Sequence, residues 1–253
     1  MKRSMIRVAL TACILVGLVP SSATAQSDDD WEFAEDAARS LSIAAVRYEN
    51  GTSVVVQCVG EELKVGLVGL PATTTASRRL QASRTDGATD AQVWQSTGQG
   101  TLASTLPGRD ARFLRAGGEF TVRSAAGDAS PVTASFTLPS QHANLDRVIT
   151  ACGYAAEDER DSIPRADPEL RMQRRLPEGS MGGVPGRSME VSCIIKDGAY
   201  QECRSDQVRA RQTISSARRE ANRWNGRRVH ENDAAANEGR VAYIFVPLLI
   251  VVG

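Results

Sequence analysis

Five cysteines and two histidines are the residues whose types could do chemistry in this chain. A hydroxyl or thiol nucleophile needs a base held within hydrogen-bond reach. His142 precedes the apolar-periodic stretch that begins at Leu145, and His230 lies in the polar run from Asn225 to Glu238. Neither stands beside a Ser or Cys motif. A metal site would want a CxxC pair or clustered histidines, and these two stand far apart. Asp28-Asp29-Asp30 lacks the spaced ligands and the glycine of a calcium loop. Gly98-Gln99-Gly100 lacks the strand and helix that flank a phosphate cradle. The residues therefore point to no enzyme, no cofactor and no small-molecule substrate.

The chemistry that remains is thiol oxidation, and the N-terminus says where it would occur. Lys2, Arg3 and Arg7 precede an apolar core from Val8 to Val19, and Ala23-Thr24-Ala25 supplies a small-x-small cleavage pattern. The core is shorter than the roughly 20 apolar residues of a spanning helix. Cys13 lies inside it rather than at its end, against a lipoprotein site. Residues 1–26 are read as a signal peptide cut after Ala25, with Gln26 or Ser27 starting a periplasmic chain. Cys58, Cys152, Cys193 and Cys203 then remain, an even number in an exported protein, and disulfides are expected. Of the three possible connectivities, spacing favours a local Cys193–Cys203 bridge, which leaves Cys58–Cys152.

The whole chain carries 30 basic and 30 acidic residues, and loss of Lys2, Arg3 and Arg7 leaves 27 basic. That balance is no footprint of nucleic-acid binding. Arginine is concentrated between Arg209 and Arg228, including Arg218, Arg219 and Arg223. The plain reading is a solvated helix face whose stems cover a sheet edge. The functional one is an anionic partner such as a membrane surface or an acidic protein.

The elements predict an α+β chain. Residues 27–154 read as a mainly antiparallel β sandwich or barrel closed by one helix. Leu41, Ile43 and Ala45 follow a two-residue period, Asn50-Gly51 is a hairpin turn, and Val54, Val55 and Val56 lead to Cys58. Strands follow over Leu63–Leu67, Thr73–Leu80 and Val93-Trp94. Phe113-Leu114 and Phe120–Val122, around Gly117-Gly118, read as another hairpin, and Val132–Leu138 as a last strand. Leu145, Val148, Ile149 and Cys152 keep a helical period. Residues 155–186, charged and carrying Pro164, Pro168, Pro177 and Pro185, read as a linker.

Residues 187–253 read as a small second domain. Met189, Val191, Cys193 and Ile195 alternate with Glu190, Ser192 and Ile194 up to the turn Asp197-Gly198. A three-residue loop, Asp197 to Ala199, would set Cys193 opposite Cys203, about 4.5–5.5 Å away. A two-residue turn would offset them by one. Thr213–Trp224 reads as a helix with Ile214, Ala217, Ala221 and Trp224 on one face, and Val241–Val252 as an apolar strand with Pro247 at an edge or after the paired part.

This order resembles the C-terminal domain of TonB-type periplasmic proteins. The matching residues are Val191–Ile195 with Asp197-Gly198, then Ala217, Ala221 and Trp224, then Glu238-Gly239-Arg240-Val241 leading into Tyr243 and Phe245. The resemblance spans about a quarter of the chain. It implies a three-stranded antiparallel sheet with one helix, and binding of an envelope protein, or self-association, through the C-terminal strand. Val241, Tyr243, Phe245, Arg219 and Arg223 are the expected contact residues. The chain departs from the pattern by lacking a retained anchor and a Pro-rich spacer, by the absence of a bulky apolar residue near Arg219, and by the cysteine pair. A cleaved chain would have no link to an inner-membrane motor, so a non-enzymatic binding or scaffold protein is expected. A membrane-anchored transducer and an unrecognised envelope enzyme are the alternatives.

Overall fold

A computed structural model describes residues 29–247 except 74, 99, 126, 127, 129, 168–187 and 207–210. The leader, the second half of the expected linker, Arg209 and the residues after Pro247 lie outside this set.

Alternating apolar residues build a nine-stranded antiparallel sheet: β1 (Glu32–Asp36), β2 (Leu41–Arg47), β3 (Ser53–Val59), β4 (Glu62–Val68), β5 (Ser77–Arg84), β6 (Thr89–Gly98), β7 (Thr101–Ser104), β8 (Gly118–Ser124) and β9 (Thr133–Leu138). Their spatial order is β1-β2-β3-β4-β7-β6-β5-β8-β9. The sheet curls until its two ends meet. Tyr48, just past β2, stacks at a tilt on Phe136 of β9 (5.6 Å between ring centres) and donates its hydroxyl to the Thr137 carbonyl at 3.0 Å. Asp29, ahead of β1, accepts from Gln141 beyond β9 through its carbonyl. Inside lies one apolar core that includes Trp31, Val54, Val56, Val65, Leu67, Leu80, Trp94, Phe120 and Phe136.

The structure corrects two expectations here. In β2 the inward face is Ser42 and Ala44, not Leu41 and Ile43. These small side chains leave room for α2 (Ala143–Ala151), which packs on β1–β3 and ends at the Cys58–Cys152 disulfide. Phe113-Leu114 belongs to a helix, α1 (Pro107–Leu114), rather than a hairpin strand. Pro107 sets the first helical φ and Asp110 complements the helix N-terminus.

A second, three-stranded antiparallel sheet has the order β11-β10-β12, from β10 (Ser188–Lys196), β11 (Ala199–Ser205) and β12 (Val241–Pro247). Between β11 and β12 lie α3 (Arg211–Trp224) and the short α4 (Glu231–Ala234). One sheet face, with Val191, Cys193, Ile195 and Ile244, packs on Ala221 and Trp224 of α3. The Cys193–Cys203 disulfide forms by a different register from the expected one. Lys196 pairs with Ala199, so the turn has two residues, Asp197 and Gly198, both at positive φ. A bulge with Glu202 at φ 50° then absorbs the one-residue offset and returns Cys203 to Cys193.

Candidate binding site at the seam between the sheets

The polar face of the small sheet does not meet solvent. Glu190 and Ser192 of β10, Asp206 after β11 and Tyr243 of β12 face a strap, residues 158–166, that runs between the two sheets. This strap falls in the stretch read as a linker, and its Arg160 and Arg165 are buried.

Four arginines stitch the seam. Arg109 of α1 donates to the carbonyls of Arg160 at 3.1 Å and Ile163 at 2.9 Å, and to the Tyr243 hydroxyl at 3.2 Å. Arg112 holds Asp161 through two bonds of 2.6 and 3.0 Å. Arg160 donates to the carbonyl and hydroxyl of Ser192, both at 2.7 Å. Arg165 reaches Asp90 of β6 and, at 2.6 Å, Asp110 of α1. Buried charges persist only when paired or fully hydrogen-bonded in this way.

Burial opposes the charge on Arg112 and Arg165, but their aspartate partners outweigh it and raise both pKa values. Burial also raises Asp110, against the pull of Arg165. Glu190 is raised well above its ordinary range by burial and then by the charge of Asp206. Asp206 is raised by burial as well, but the Ser192 hydroxyl donates to it at 2.5 Å and pulls it back. One oxygen of each, Oε1 of Glu190 and Oδ2 of Asp206, has no hydrogen-bond partner among the described residues.

On the outer side of the strap lies a cleft of about 670 Å³, lined among others by Gln81, Arg84, Asp90, Arg165 and Arg240. Neither histidine lines it. His142 contacts Asp146 at 3.0 Å at the start of α2, and His230 is exposed ahead of α4. Among the described residues, no group of three or more His, Cys, Asp or Glu is placed to hold a metal ion.

The expected contact residues fall on two different layers. Val241 is buried, and its N–H and C=O bond to Pro164 (3.0 Å) and Ala166 (2.8 Å) of the strap. Tyr243 is half-buried against Arg109, and Phe245 pairs with Glu190 in the ladder, its side chain lying outside the described set. Arg219 and Arg223 are exposed on α3, across the sheet, where Arg223 pairs with Glu220 at 2.7 Å. The sequence reading missed Asp90, Arg109, Asp110, Arg112, Arg160, Arg165, Glu190 and Asp206. For Asp90 the one signal is a polar residue on the inward phase of a strand, in Asp90-Ala91-Gln92-Val93-Trp94.

Comparison with protein-family models, with curated proteins and with solved structures gives no match.

Proposed function

We propose that this chain is a non-enzymatic, exported binding or scaffold protein of the periplasm. Its TonB C-terminal-like sheet takes an extended partner segment on the outer edge of β12. One observation carries this reading: the edge already accepts an extended segment through a single bridge at Val241. The strap pairs with Val241 in parallel, through Pro164 and Ala166. By the two-residue period, Tyr243 and Phe245 direct their backbone groups the same way. Among the described residues no backbone partner meets them. The opposite edge is occupied, since Tyr200 of β11 exchanges bonds with Gly226 and Arg227. A sheet edge that presents backbone groups outward in this way is the usual platform for β-augmentation.

Binding is favoured over catalysis because the buried ionisable groups of the seam are largely committed to one another. The occupant is an envelope protein or a second copy of this chain. Phe245→Pro tests the reading, because proline removes an edge-facing N–H and leaves the β10 ladder intact. Capture from envelope extract and self-association by sedimentation are expected to fall, with the melting curve unchanged. Undiminished association by the variant would reject the proposal.

A further inference from the structure

The cleft beside the strap is lined by five arginines, Arg84, Arg109, Arg112, Arg165 and Arg240, against two carboxylates, Asp90 and Asp161. Arg165 uses Nε and Nη2 on Asp90 and Asp110 and, among the described residues, makes no bond through Nη1. Arg240 is exposed and uses Nη1 on the Arg165 carbonyl at 3.2 Å, with no carboxylate partner among the described residues. Arg123 of β8 is likewise exposed and without an ion pair in that set, and it sits directly across the ladder from Gln81 in the cleft wall. The other cations there are neutralised: Arg84 by Asp86, Arg109 by Asp90, and Arg112 by Asp161. The cleft thus joins a buried guanidinium with a spare N–H to Arg240 in its lining, with Arg123 one strand beyond its Gln81 wall. Its volume suits a small molecule.

We propose that this cleft binds a small organic anion through a carboxylate or phosphate group, held between Arg165 and Arg240 with Arg123 at the entrance. Arginine forks match either group through paired N–H donors. The proposal goes beyond strand capture and uses different residues, so either can fail alone.

Titration calorimetry of the oxidised protein at low ionic strength tests it, with citrate as the carboxylate probe and pyrophosphate as the phosphate probe. At least one is expected to bind at a single site, and the stronger identifies the group. Arg240→Gln is expected to weaken that binding about ten-fold, the loss of one charge-assisted contact. Arg123→Gln should give a smaller loss, and Arg223→Gln on α3 none. No binding of either probe, an unchanged affinity in Arg240→Gln, or an equal loss in Arg223→Gln would overturn the proposal.

Discussion

Arg165 of the strap donates to the Asp110 carboxylate of α1 at 2.6 Å, with both side chains buried. The same guanidinium holds Asp90, so one side chain neutralises two acids between the sheets. Arg165→Ala would leave both buried and without that partner, a loss of about 3–5 kcal/mol. Denaturant unfolding should show it. Adding Asp90→Asn and Asp110→Asn should recover part of the loss, whereas a simple packing defect would not be relieved.

Glu190 gives the protein a pH dependence of definite sign. Its folded pKa lies above the ordinary 4.5, so the folded chain keeps a proton that the unfolded chain has released. Its contribution is full below about pH 4.5 and is lost as pH rises through the folded pKa. Glu190→Gln cannot ionise. Its melting temperature relative to the parent should therefore climb as pH rises from that value, and a constant difference would contradict the assignment.

The two disulfides should differ in weight. Cys58–Cys152 joins residues 94 apart and Cys193–Cys203 residues 10 apart. In the chain-entropy view these contribute about 4–5 and about 2–3 kcal/mol. Paired Cys→Ala variants, compared by denaturant unfolding, should preserve that order.

Gly108 marks where α1 meets Tyr154. A Cβ at position 108 would lie 2.5 Å from Tyr154 Cε1. Gly108→Ala must therefore displace a ring whose hydroxyl faces Glu190. A loss of about 1–3 kcal/mol is expected from the overpacking, read by thermal unfolding.

Local patterns in the sequence carried most of the strands, the α2 helix and both cysteine pairs, but not β1 or β7, because period and spacing are properties of neighbouring residues. The seam was not legible in the same way. Glu190 and Ser192 alternate with Val191 and Cys193 as on any half-solvated strand. Only the fold brings Arg160 and Arg112 over them. Charge and proline made residues 155–167 look like a tether, yet Arg160 and Arg165 are charged because they answer buried polar groups from other elements. The bulge at Glu202 was hidden too, since two alternative turns satisfy the same cysteine spacing.

Strand addition at β12 is tested most directly by amide hydrogen exchange at Tyr243 and Phe245, with and without the captured partner or at dimer-forming concentration. These edge-facing amides are predicted to become protected on association, while Tyr200 of β11, already bonded, stays unchanged. Association that leaves Tyr243 and Phe245 exchanging at their free rates would contradict the account.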